Sequence, residues 1–125
     1  LIHGIYKLVE NMKKTVIGLI PVRLESTRLP GKALKDICGI PAIVHVYRRA
    51  FLANMLDDLY ICTDSKEIVD VANRYDCKVI ITGHHRNGSE RIHEACSSIS
   101  ADIIINICIF SLTFYSIINK RTFNI

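Results

Sequence analysis

The chain has 125 residues, with 16 Lys+Arg against 12 Asp+Glu and a formal net charge of +4. That length suits one domain, and 50% hydrophobic with 22% charged residues is a globular composition that excludes a disordered chain. The positive excess is too mild to name nucleic acid as a partner. Cys38, Cys62, Cys77, Cys96 and Cys108 are an odd set without a C-x-x-C, which excludes a zinc knuckle and a paired disulfide framework. Four of the five lie in or beside apolar runs, where a reduced Cys packs as a small hydrophobe, so a reducing, cytoplasmic location is expected. The N-terminus carries no signal-peptide pattern. Met12-Lys13-Lys14 reads as a translation start, and residues 1–12 are read as an upstream extension without a function.

Residues 15–22 form a short apolar run that ends in a charged loop containing Gly and Pro, the pattern of a buried strand. Beyond Pro41, Ile43, Val46, Tyr47 and Ala50 recur at helical spacing and predict an amphipathic helix to about Asn54, with His45 and Tyr47 as packing residues. Asp58 to Thr63 is a second strand. Asp64 is placed to cap the helix that follows, whose stripe is Ile68, Val71, Ala72 and Tyr75. Cys77 to Thr82 is a third strand. The loop from Gly83 to Gly88 holds His84 and His85, read as a solvated pair, and Asn87 or Ser89 caps a third helix with Ile92, Ala95, Cys96 and Ile99 on one face. A fourth strand starts at Asp102. Near-continuous apolar strands alternating with amphipathic helices predict an α/β unit, with a mostly parallel sheet covered on both faces. Strand C-terminal ends then gather on one rim, where such sheets bind ligands.

Residues 108–125 break the pattern, with no Gly, Pro or carboxylate and no helical stripe. A membrane span needs about 20 apolar residues, and Asp102, Asn106 and the interspersed hydroxyls argue against one. This tail is expected to extend the fourth strand or stay irregular.

The loop after the first strand runs Arg23-Leu-Glu-Ser-Thr-Arg28-Leu-Pro-Gly-Lys32. Three cations beside a glycine suit a polyphosphate, because Arg offers forked donors and Lys a mobile charge. A solvated basic loop fits the composition equally well. The order is neither that of a Walker A loop nor of a dinucleotide fingerprint, and no hydrolase triad is recognisable.

Read whole, four segments resemble the CMP-sugar synthetases, and among these the 3-deoxy-manno-octulosonate (Kdo) cytidylyltransferases. They are Ile20 to Lys32, Gly39 to Ala50, Thr63-Asp64, and His85-Arg-Asn-Gly-Ser-Glu-Arg91, in the family's order. The resemblance spans residues 13–107, the nucleotide-binding part of the domain, and implies a three-layer Rossmann-like nucleotidyltransferase fold. It also implies transfer of CMP from CTP to the anomeric hydroxyl of Kdo, with pyrophosphate released and Mg²⁺ present, for lipopolysaccharide synthesis in Gram-negative bacteria. By family position Arg28 and Lys32 grip the phosphates and act in catalysis. Arg23, Ser89 and the backbone at Val22 line the nucleotide site, while the segment from Arg86 to Arg91, with Arg86 and Arg91 as its cations, shapes the base and sugar side. CTP and an acidic sugar are the implied partners, and the intact family enzymes can form homodimers.

The sequence departs from the family at Val22 (commonly Ala), Arg86 (Gln), Asn87 (Ser) and Ser89 (Thr). After Ile107 the family continues Gln-Gly-Asp-Glu-Pro, whose Asp is a Mg²⁺ ligand; here Cys108-Ile109-Phe110 stands in its place. Residues 108–125 therefore read as a non-family tail on an N-terminal fragment, poorly active at best. The alternatives are a sialic acid cytidylyltransferase, a nucleotide-binding remnant without turnover, and an aggregating or membrane-associated product of the apolar tail.

Overall fold

The computed structural model describes Gly4 and residues 14–25, 31–109 and 115–119, the last as backbone only. Five strands form one sheet: β1 (Val16–Pro21), β4 (Asp58–Thr63), β5 (Val79–Ile81), β6 (Ile103–Ile107) and β7 (Tyr115–Asn119). Their order is β5-β4-β1-β6-β7. The first four strands are parallel and β7 runs antiparallel to β6 along the edge. The tail thus neither extends the fourth strand nor stays wholly irregular. Part of it turns back and pairs with β6, with Ile105 opposite Ile117.

Helices cover both faces. α1 (Ala42–Phe51) and α2 (Lys66–Arg74) pack on one side through Ile43, Val44, Tyr47, Ile68 and Ala72, against Ile20, Ile61 and Ile105 of the sheet. α3 (Gly88–Cys96) packs on the other through Ile92, Ala95 and Cys96, against Ile17, Leu19, Cys62 and Ile104. Alternate strand residues feed alternate cores, as the two-residue period of a strand demands. Gly18 faces the α1 side, where a Cβ would come within 2.8 Å of Leu59 Cδ1 and 3.0 Å of Ile107 Cδ1. A side chain there would overpack the sheet at its centre.

The connectivity fixes where a ligand can enter. From β1 through α1 to β4, and through α2 to β5, the chain moves outward in one direction. α3 then carries it back across β4 and β1 to β6 on the opposite side. Right-handed crossovers put helices on opposite faces when the direction reverses, and a crevice opens at the reversal. The reversal lies between β1 and β6.

Element ends follow local chemistry. α1 stops at Phe51, three residues short of the expected Asn54. α2 is capped by Ser65, whose hydroxyl accepts from the Ile68 N–H at 3.4 Å, and not by Asp64. The extended Ser65 backbone (φ −83°, ψ 119°) aims its hydroxyl at the first turn, whereas Asp64, one residue earlier, faces Arg91 and His84. Asn87 caps α3 by accepting from the Glu90 N–H at 2.9 Å. A small hairpin precedes α1, with β2 (Asp36–Ile37) and β3 (Ile40–Pro41) joined by Cys38 and Gly39, both at positive φ (52° and 83°). Two positive φ values in a two-residue turn match the right-handed twist of the flanking strands. Asp36 Oδ1 accepts the Gly39 N–H at 2.7 Å.

Candidate functional site

A cleft of about 280 Å³ opens at the C-terminal ends of β1 and β6, at the reversal point of the sheet. Pro21, Val22 and Arg23 enter from the end of β1, and Lys32 and Ala33 from the short 3-10 turn after the loop. Asn87, Gly88, Ser89 and Arg91 come from the start of α3, and Asn106, Cys108 and Ile109 from the end of β6. The structure therefore gathers Val22, Arg23, Lys32, Ser89 and Arg91 around one cleft. Arg28 lies outside the described residues. Gly31, at φ 71°, turns the chain so that Lys32 starts the 3-10 turn at the cleft wall, and its N–H returns to the Leu24 carbonyl at 3.0 Å.

Arg86 does not line this cleft with the others. Its carbonyl instead accepts from Arg23 Nη1 at 2.8 Å, tying the loop after β1 to the loop before α3. At Val22 the N–H is already committed to the Cys62 carbonyl at 2.9 Å, continuing the β1–β4 ladder past Pro21. Val22 thus lines the cleft without offering a backbone donor.

Arg91 is not a solvated residue: it is 2% exposed. Its Nη1 donates to Thr82 Oγ1 at 2.6 Å and to the Gly83 carbonyl at 3.1 Å, and lies 3.4 Å from Asp64 Oδ1. Asp64 is an ion-pair partner in this cluster, which also brings His84 Nδ1 to 3.4 Å from Asp64 Oδ2. The two histidines part company. His84 is 90% exposed, whereas His85 is 21% exposed, with Nε2 at 3.5 Å from Glu94 Oε2. Glu94 also accepts the Gly83 N–H at 2.8 Å, pinning the loop to α3. Tyr47 is a packing residue as expected, buried with its hydroxyl donating to the Leu59 carbonyl at 3.3 Å, while His45 is half-buried with Nε2 at 2.7 Å from the Ile37 carbonyl.

Sequence reasoning passed over Asn106 as a cleft residue, whereas Asn87 and Gly88 fall within the segment Arg86 to Arg91 that the resemblance puts on the base and sugar side. Asn106 is the polar position in an otherwise isoleucine strand, and that break was the available signal. Its Oδ1 is buried with no hydrogen-bond partner among the described residues.

Cations on one wall, a helix start on another and an open mouth at a sheet reversal can hold a phosphorylated nucleotide. The cytidylyltransferase sequence profile matches residues 17–119, most of the chain. The chain belongs to the cytidylyltransferase family. Within it, the chain is 41% identical over 100 residues to the 3-deoxy-manno-octulosonate cytidylyltransferase of Koribacter versatilis, covering 79% of this chain and 38% of that protein. The Rhodopseudomonas palustris protein of the same name is 47% identical over 90 residues, covering 71% and 36%. Among solved structures, a CMP:2-keto-3-deoxy-manno-octonic acid synthetase complexed with CTP superposes with a TM-score of 0.73 at 35% identity, covering 76% of this chain and 40% of that one. A cytidylyltransferase from Leptospira borgpetersenii (TM-score 0.67, 21% identity, covering 78% and 42%) shares the fold. The chain thus spans about two-fifths of the length of the curated family members it matches.

The family resemblance implies Mg²⁺, and the described cleft does not fit it. Mg²⁺ takes oxygen ligands with one or two carboxylates beside the substrate phosphates. No carboxylate is among the described residues lining the cleft, and Asp64 is held by Arg91 and His84. No described cluster of three or more His, Cys, Asp or Glu side chains could hold a metal. No helix among the described residues is long and apolar enough to cross a membrane.

Proposed function

We propose that this chain carries the CTP-gripping part of a 3-deoxy-manno-octulosonate cytidylyltransferase. The observation that carries the reading is the convergence of Arg23, Lys32 and the start of α3 on one cleft at the sheet's reversal point. In the reaction, the anomeric hydroxyl of the acidic sugar attacks the α-phosphorus of CTP in line, forming the P–O bond to the sugar as the bond to pyrophosphate breaks. Arg23 and Lys32 neutralise the triphosphate, and Arg28 joins them by family position. Fixed cations that are already in place where charge builds on the leaving group lower the barrier without reorganising. The Arg23–Arg86 bond keeps one of these cations and the approach to α3 in a constant relation.

Kdo is favoured over a sialic acid as the acceptor by the names of the relatives at 41% and 47% identity. The product would serve lipopolysaccharide synthesis. The five free cysteines suit a cytoplasmic chain, and pairing of two copies is open to it as to the intact family enzymes. The domain division is read as an extension over residues 1–12, the nucleotide-binding part over 13–107 and a tail over 108–125, into which the family profile runs as far as residue 119.

The test is pyrophosphate release from the purified chain with CTP, Kdo and Mg²⁺, beside a full-length family member. Turnover is expected to be slower by several orders of magnitude, since no carboxylate among the described cleft residues can hold Mg²⁺ beside the triphosphate. Comparable rates would contradict the reading of the chain as a nucleotide-gripping part with little turnover.

A further inference from the structure

Asn106 is the polar residue in the β6 sequence Ile-Ile-Ile-Asn-Ile, at the strand's cleft end. Register pairs it with Leu19 at the centre of the sheet, and the two-residue period puts it on the same face as Ile104, the face covered by α3. An aliphatic side chain could fill this position as its neighbours do. The amide instead leaves Oδ1 buried, with no hydrogen-bond partner among the described residues. An acceptor withdrawn from water and left unpaired is unfavourable, and such groups in a folded protein call for a reason. Here the reason lies in the cleft, because Asn106 shares it with Ser89 on α3 and with Arg23 and Lys32 on the facing segments.

We propose that Asn106 is a ligand-contacting residue whose Oδ1 accepts a hydrogen bond from the nucleoside half of the bound nucleotide. This rests on the reading of the cleft as a CTP site. Lys32 and Arg23 suit anionic phosphate oxygens, which carry no proton to donate. A neutral carbonyl oxygen needs a donor, and the nucleoside half supplies two kinds: the ribose hydroxyls and the exocyclic amine of cytosine. A ligand thus lies with its phosphates on the cations and its nucleoside over the end of β6. The acceptor, unpaired among the described residues, gains a partner on binding, so it favours ligands that bring a donor to that point.

The experiment is titration calorimetry of wild type, Asn106→Ala and Asn106→Ser with CTP, 2′,3′-dideoxyCTP and UTP, with thermal unfolding of each unliganded chain. Both substitutions are expected to weaken CTP binding about tenfold, the size of one well-made hydrogen bond to a buried group. The analogue that lacks the donor should bind wild type about tenfold more weakly and lose nothing further on substitution. Dideoxy insensitivity assigns the ribose, and UTP insensitivity assigns the base amine. Variants that bind CTP as wild type does, or that lose the same factor for all three nucleotides, overturn the assignment. So does a large fall in unfolding temperature for both variants, which would show the amide bonded within the fold. A wild-type chain that binds no CTP would instead contradict the nucleotide reading on which the assignment rests.

Discussion

Arg91 Nη1 donates to Thr82 Oγ1 at 2.6 Å, joining the first turn of α3 to the end of β5 beneath the loop that carries His84 and His85. The same nitrogen reaches the Gly83 carbonyl and lies 3.4 Å from Asp64, so one buried guanidinium organises three segments beside the cleft. Truncating it to Met would remove these bonds and leave the Gly83 carbonyl and the Thr82 hydroxyl without their donor. Arg91→Met is expected to cost about 2 kcal/mol of stability, less than loss of a fully buried ion pair because Asp64 can rehydrate. Urea unfolding measures this; an unchanged midpoint would mean that Arg91 serves only a ligand.

The division of labour between Asp64 and Ser65 makes a second prediction. Ser65→Ala should cost about 1 kcal/mol, the usual loss for an N-cap hydroxyl. Asp64→Asn leaves that cap intact and weakens only the Arg91 and His84 contacts. Far-ultraviolet thermal unfolding of the pair separates them, and a larger loss at Asp64 than at Ser65 would contradict the cap assignment.

Asp58 gives the fold an acid-sensitive contact. Burial pushes its carboxyl upward, but the hydrogen bonds from Lys78 and Tyr60 outweigh that and hold it below the usual 3.8. The native state therefore takes up a proton less readily than the unfolded chain. Its contribution is complete above pH about 4 and is lost as pH falls through the depressed value. Asp58→Asn should flatten the decline in unfolding free energy on acidification; an unchanged acid slope would place the sensitivity elsewhere.

Cysteine reactivity should divide by burial. Desolvation pushes the Cys62 thiol up to about 12, with Cys96 adding to the rise and Arg91 opposing it, so almost no thiolate exists at pH 8. Cys38 and Cys108 are exposed. Brief alkylation of the native chain, read by mass spectrometry, should label Cys38 and Cys108 and spare Cys62, Cys77 and Cys96. Rapid labelling of Cys62 would contradict its place in the core.

The helices were legible from their 3.6-residue stripes and the buried strands from near-continuous apolar runs, although β5 covers only Val79–Ile81 of the expected Cys77 to Thr82. Asp58 to Thr63 matched residue for residue, since five of its six residues are apolar or β-branched and polar residues bound it. The β2–β3 hairpin was not legible: two-residue strands have no period, and Cys-Gly is a weak turn signal beside Asn-Gly. Pairing of residues 115–119 with β6 was hidden for a different reason, because an edge strand needs a partner that the local sequence does not name. At the site, the cationic loop stood out by charge and Asn87 by its spacing to α3. The burial of Arg91 had a signal that went unused. It precedes Ala95 by four and Ile92 by one, and so falls on the helix's apolar stripe. The orphaned oxygen of Asn106 depends on tertiary packing and has no trace in sequence beyond a polar break in an isoleucine run.

The central claim is that the cleft grips the outer phosphates of CTP. Titration calorimetry of wild type and Lys32→Ala with CTP and CMP tests it most directly, because only CTP carries the outer phosphates that the 3-10 turn is placed to meet. Wild type should bind CTP more tightly than CMP. Lys32→Ala should lose about 1.5–3 kcal/mol for CTP and much less for CMP, the range for a hydrogen bond to a charged group. Equal losses for both nucleotides, or a wild-type chain with no preference for CTP, would contradict it.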